Sequence, residues 1–177
     1  MLKAFRLQLR RASSEAFQRF GAIVEPKGPA IPVNNGTATR HDVDRFAAAD
    51  AATGFHLVTS VYEADAQALP RPITLLERHT QSRQLIAPIS AGGHLVIVCL
   101  SGRDGNTPDL RTLAGFRFAG TQGMIYRPGV WHHPIFALDK PSLFLVQSWQ
   151  NGTERDCEIA TIDPHLVGSD TQEENGA

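Results

Sequence analysis

Two stretches of the chain concentrate groups able to move protons or hold a metal. The first is Leu76-Glu77-Arg78-His79, followed by Gln84 and Pro88. Read as a strand, it puts Glu77 and His79 on one face, because alternate side chains of an extended chain point the same way. A hairpin to the next expected strand would bring Gln84 beside them. The second is Tyr126-Arg127-Pro128-Gly129-Val130-Trp131-His132-His133-Pro134. Its Pro-Gly turn leads into a strand on which His132 and His133 face opposite sides, so at most one of them easily enters a shared site. Imidazole titrates near neutrality, which makes His132 the first candidate for acid or base work, with Glu77 and His79 next. Glu77, His79, Gln84 and His132 on the inner faces of a small barrel could bind a divalent metal through oxygen and imidazole. They could equally hold a small polar ligand by hydrogen bonds. Taken alone, Glu77-Arg78-His79 also fits a solvated strand face with a cross-strand ion pair, and a lone His132 fits a structural histidine. A structural role for all four is disfavoured by the cost of burying so many polar groups without use. His41, His56, His94 and His165 lack comparable neighbours and read as structural or surface residues, although His94 follows Gly92-Gly93 and opens a strand.

The elements that must position these groups are short. From residue 55 onward the pattern predicts strands at 55–62, 72–79, 83–87, 94–100, 114–118, 123–127, 131–138, 142–149 and 155–160, each bounded by Gly, Pro, Asp or Asn. Arg103-Asp104-Gly105-Asn106 is a turn signal, and Thr107-Pro108-Asp109-Leu110 reads as an N-cap followed by Pro at the first position of a short helix. Upstream, Phe5, Leu7 and Leu9 alternate with polar or small residues and predict a half-buried strand. Ser13 or Ser14 caps a short helix that carries Phe17 and Phe20 on one face and ends at Gly21. Residues 25–39 hold three Pro, two Gly and two Asn and predict a loop, and 44–51 a loop or one helical turn. The expected architecture is all-β, a single barrel domain over 1–167 with a few short helices. The polar stretch 168–177 is expected to be a disordered tail.

Composition narrows the function classes. The chain has 177 residues, and 17 Lys+Arg against 18 Asp+Glu leave a net charge of −1, so nothing points to nucleic acid. Cys99 and Cys157 allow one bridge at most, and both are expected to be reduced; no zinc-ribbon or CxxC pattern is present. No run of apolar residues is long enough to span a membrane, and Met1-Leu-Lys-Ala-Phe-Arg lacks an export signal, so the cytoplasm is the expected location.

The chain resembles a cupin. Glu77-x-His79, with Gln84 after it, stands where cupins carry His-x-His and Glu, and Pro128-Gly129-Val130-Trp131-His132 stands where they carry a final His after a Pro-x-Gly turn. Exchanging His for Glu and Glu for Gln keeps the formal charge of the set, so metal binding is allowed but not demanded. More specifically, Val33-Asn34-Asn35-Gly36, Arg40-His41-Asp42, the Glu77–Pro88 stretch, Thr107–Leu110 and Gly129–Pro134 follow one another as in the ureidoglycolate lyase family. The resemblance runs from about Leu9 to Asp163. It implies a cupin-fold homodimer of purine (allantoin) catabolism, a carbon–nitrogen lyase that cleaves (S)-ureidoglycolate to glyoxylate and urea. Under that reading His132, His79 and Glu77 are the catalytic candidates. Arg40, Asn34, Gln84, Arg127 and Tyr126 are the substrate-binding candidates. Glu77, His79, Gln84 and His132 are the candidate ligands of a divalent metal such as nickel. One departure stands out: the family commonly has Tyr-His where this chain has Tyr126-Arg127, and an arginine there could pair with a substrate carboxylate. The alternatives are another metal-dependent cupin enzyme and a non-catalytic cupin that binds a small carboxylate.

Overall fold

The computed structural model describes residues 5–46 and 54–168. Residues 47–51 of the expected loop and 169–177 of the expected tail lie outside the described residues. The strands, in chain order, are β1 (Phe5–Leu7), β2 (Leu9–Arg11), β3 (Gly21–Val24), β4 (Ile31–Val33), β5 (Ala38–Arg40), β6 (His56–Ala64), β7 (Arg71–Arg78), β8 (Gln84–Ser90), β9 (His94–Cys99), β10 (Ala114–Phe118), β11 (Gly123–Tyr126), β12 (Trp131–His132), β13 (Phe136–Ala137), β14 (Ser142–Gln150) and β15 (Glu158–Val167). One short helix, α1 (Ser14–Phe17), follows β2. The expected all-β, cupin-like barrel with few helices is what the chain forms. No helix among the described residues is long and apolar enough to cross a membrane.

The strands form two main sheets. The larger has the order β1-β15-β7-β12-β9-β10-β2, with β13 also on β9; the smaller has the order β3-β11-β8-β14-β6. Strand β9 is buried along its whole length, as its unbroken apolar run requires. Leu95, Ile97 and Cys99 pack with Ile73, Leu76, Trp131 and Phe136 on one side. Val96 and Val98 pack with Phe116, Phe118, Tyr126 and Phe144 between the sheets. The N-terminal run closes the larger sheet. β1 lies parallel to β15 and β2 parallel to β10, with only Gln8 between them, so one stretch of chain seams both edges. The seam needs Gly115, because a Cβ there would fall 2.8 Å from Leu9 Cδ2.

Helix α1 plugs this barrel. The Ser13 hydroxyl accepts a hydrogen bond from Ala16 N at 3.2 Å and so caps the first turn. Phe17, fully buried, meets Phe116 and Phe118 edge-on with ring centroids 5.5 Å apart. Each such aromatic pair contributes about 1 kcal/mol beyond simple burial.

Three expected elements differ. The strand expected over 131–138 is broken into β12 and β13, both paired with β9. Pro134 has no N–H to give the ladder, and His133–Ile135 bulge outward between the two pieces. The helix expected at Thr107-Pro108 starts later: Asp109 caps a 3-10 turn over Leu110–Thr112, while Thr107 Oγ1 donates to Asp104 Oδ2 at 2.8 Å and closes the preceding turn. The loop expected over 25–39 contains the small hairpin β4–β5. Its turn uses Asn34, Asn35 and Gly36 at positive φ, the conformations these residue types tolerate best.

Candidate active site

β7 and β12 are paired so that Glu77 and His132 stand directly opposite each other. Strand alternation then sends Glu77, and His79 just beyond the strand end, into the barrel interior, while Arg78 turns the other way. Glu77 Oε1 and His132 Nε2 are 3.6 Å apart, and the His79 and His132 ring centroids are 5.4 Å apart. One ligand atom from each of Glu77, His79 and His132 lies within 4.8 Å of the others. Tyr126 stacks on the His132 ring at 4.1 Å.

The two histidines are held in the same way. His132 Nδ1 donates to the Val130 carbonyl at 3.0 Å, and His79 Nδ1 donates to the Asp156 carbonyl. This fixes the tautomer: each Nε2 carries its lone pair, is buried, and has no hydrogen-bond partner. Two preset lone pairs facing a carboxylate suit a divalent cation as well as they suit proton transfer. Burial, with the positive charge of His132 as a second cause, lowers the pKa of His79 and keeps it neutral. At Glu77, burial pushes the pKa upward. The hydrogen bond and charge of His132, with His79 and His133, outweigh it, and the net direction is down. The carboxylate is therefore ionised near neutral pH.

The loop that delivers His132 is pinned through Arg78. Its guanidinium is 5% exposed, donates to Glu158 Oε2 at 2.9 and 2.6 Å and to Ser101 Oγ at 3.0 Å, and lies 4.5 Å over the Trp131 ring. Ser101 Oγ in turn donates to the Gly129 carbonyl at 3.0 Å, and Gly129 N donates to the His79 carbonyl at 2.8 Å. The cross-strand ion pair that the sequence allowed for Glu77-Arg78-His79 thus belongs to Arg78 and Glu158, which are register partners. It ties β7, β15 and the Pro128-Gly129 turn together behind the site.

Glu77 and His79 open onto a cavity of about 580 Å³, also lined by Tyr62, Glu63, Asp65, Gln84, Pro134, Gln150, Asp156 and Cys157. Gln84 is 5% exposed, and its Oε1 has no hydrogen-bond partner. It reaches the site from the smaller sheet, not through a β7–β8 hairpin, because the chain crosses between sheets at residues 79–83. A second concavity, about 590 Å³ and lined by residues including Thr107, Trp131, Thr161 and Asp163, carries no histidine.

The structure therefore gathers Glu77, His79, Gln84, His132 and Tyr126 in one place. Arg40 and Asn34 sit on the exposed hairpin, Arg127 is exposed beside the Pro-Gly turn, and none of the three lines the cavity. Two cavity residues had no sequence signal. Asp156 orients His79 through its backbone carbonyl, which residue type does not reveal. Cys157 Sγ lies 3.9 Å from Glu77 Oε2, with its pKa pushed to about 11 by burial and then by the Glu77 charge. Nothing in the sequence around Cys157 announced that neighbour.

Comparison with known proteins agrees over nearly the whole chain. Residues 4–168 match the family described as ureidoglycolate lyase. A ureidoglycolate lyase of Burkholderia cepacia is 35% identical, covering 86% of this chain and 84% of that protein. A ureidoglycolate lyase of Pseudomonas putida is 31% identical, covering 86% and 89%. A crystal structure of a dTDP sugar isomerase from Desulfovibrio desulfuricans superposes with a TM-score of 0.45 at 20% identity, covering 78% of this chain and 82% of that one.

Proposed function

The chain belongs to the ureidoglycolate lyase family, and from that premise we propose that it cleaves (S)-ureidoglycolate to glyoxylate and urea, as a homodimer, in allantoin breakdown. The observation that carries the chemistry is the pair of buried histidines whose Nδ1–H groups are spent on backbone carbonyls and whose Nε2 lone pairs face Glu77.

The substrate carbon bears a hydroxyl, a carboxylate and a urea nitrogen. Cleavage requires removal of the hydroxyl proton as the C=O forms and delivery of a proton to the departing nitrogen. His132 takes the hydroxyl proton at Nε2. Glu77, ionised and 3.6 Å away, stabilises the imidazolium. As the C–N bond breaks, the same proton passes from His132 to the urea nitrogen, so one group serves both halves and no water is consumed. Gln84, with an unpaired carbonyl oxygen at the cavity wall, accepts from the urea N–H groups. Arg40 holds the carboxylate. The same three side chains, Glu77, His79 and His132, would hold a divalent metal such as nickel. Bound there, it supplies a Lewis acid that lowers the pKa of the substrate hydroxyl. Proton and metal compete for the His132 lone pair, which makes metal content the variable to control.

The test is product release from ureidoglycolate by metal-stripped and metal-reconstituted protein. Urea and glyoxylate should appear in equal amounts with no ammonia. Ammonia ahead of urea would assign an amidohydrolase, and tight binding of glyoxylate without turnover would assign a carboxylate sensor.

A further inference from the structure

We propose that the β4–β5 hairpin of one copy reaches into the cavity of a second copy and supplies Arg40 to it. This rests on the lyase reading, because the argument begins with an anionic substrate. The cavity that would receive that anion is itself acidic. Glu63, Asp65, Glu77 and Asp156 line it, and no lysine or arginine is among its lining residues. A carboxylate entering such a wall is repelled unless a cation arrives with it.

The hairpin is built as a donor of that cation. β4 and β5 pair only with each other and extend neither main sheet. Its residues are exposed apart from half-buried Val33, and the arm packs on no other element of its own chain to any extent. Arg40 has an ion pair with Asp42 at 3.0 Å, but both side chains are at least half exposed, so the pair is weak and readily exchanged. A free hairpin of three-residue strands is marginal in water, so the arm needs a surface to lie on.

A second copy provides that surface. The feet of the arm are fixed to the smaller sheet: Gln122 Nε2 donates to Glu25 at 2.8 Å, and Arg83 pairs with Asp44 at 3.0 Å. That sheet ends in β6, nine residues long and unpaired on its outer side. Leu57 and Val61 on β6, with Ile89 on β8, are 48%, 59% and 56% exposed. A long, apolar edge is a template for another chain. The end of β6, Tyr62–Ala64, is also a wall of the cavity, so a copy docked along β6 sits at the cavity mouth. Basic Arg40 then meets acidic Glu63 and Asp65 across the interface.

The test uses two variants in one dimer. Arg40→Ala and His132→Ala protein, carrying different tags, are co-expressed, and the mixed dimer is isolated by successive affinity steps. If the arm crosses, one of its two sites has both wild-type residues. The mixed dimer should then release urea at about half the wild-type rate, while each variant alone is at least 100-fold slower. A mixed dimer as inactive as its parents, or a wild-type chain that sediments as a monomer, overturns the proposal. An independent readout needs no turnover. Oxidation of Arg40→Cys protein with copper phenanthroline should join it to Cys157 of the other copy and give a covalent dimer, absent in the Arg40→Cys, Cys157→Ser protein. A disulfide formed within one chain overturns the crossing. Covalent dimer without any urea release from the wild type would instead retain the crossing and remove the lyase reading.

Discussion

Two histidines lie in the same barrel interior and are equally buried, yet only one is equipped for chemistry. His94 and His132 are each 1% exposed. His94 opens β9, and His132 pairs with Val98 four residues further along that strand, roughly 13 Å away. His94 is flanked by Phe118 and Phe144 at 5.4 and 5.3 Å, and neither of its nitrogens has a partner. His132 has Nδ1 committed to a carbonyl and Nε2 aimed at a carboxylate. Burial at the first end only suppresses the charge, driving the pKa down to about 4. At the second end burial is combined with an orienting acceptor and a counter-charge, which produces a directed lone pair. The lesson is that a perturbed histidine marks a site only when its second nitrogen is spoken for.

The largest expected effect tests the second end. His132→Ala should lower kcat for urea release at least 100-fold, whereas His94→Leu should leave it within about twofold, by steady-state assay. Equal losses in the two variants would erase the distinction.

The next effect tests the first end by pH. His94 takes its proton near pH 4 in the folded chain but near 6.5 when unfolded. As pH falls from 6.5 to 4 the unfolded state is protonated first, so the native state loses up to about 3 kcal/mol across that window. Above pH 6.5 both states are neutral and the contribution vanishes. Chemical denaturation at pH 7 and pH 4.5 should show a steeper loss for the wild type than for His94→Leu, and parallel losses would contradict it.

Gln84→Leu removes a hydrogen-bonding partner from the reactive end without touching the proton relay. It should raise KM about tenfold and leave kcat nearly unchanged. A selective fall in kcat would move Gln84 into the relay itself. The smallest change is expected for Cys157→Ser, because its 3.9 Å contact with Glu77 is weak. Its rate should stay within about threefold of the wild type, and a larger loss would make the thiol a working part of the site.

Much of this contrast was legible in residue order, and some was not. Glu77-x-His79 and the Pro128-Gly129 turn before Trp131-His132 encode their shared face through strand periodicity, so their meeting could be read directly. The strands over 94–100 and 114–118 were equally plain, because unbroken or alternating apolar runs leave little choice. What could not be read was pairing between sheets. That Gln84 approaches from the opposite wall, and that Asp156 fixes His79 through its carbonyl, depend on long-range contacts between groups far apart in the chain. The break at Pro134 was available from residue type alone, since proline cannot serve a central ladder. The hairpin at 31–40 was hidden because its turn residues outnumber its strand residues.

The N-terminal seam has a practical consequence for handling the protein. Residues 5–11 zip β15 to β10, so their loss would release two sheet edges at once. Each freed edge would present unpaired N–H and C=O groups beside apolar side chains such as Val167 and Phe116. Truncation at the amino end should therefore show up first as poor solubility, with intermolecular strand pairing in place of the lost seam. Purification tags are better carried at the carboxyl end, beyond Gly168.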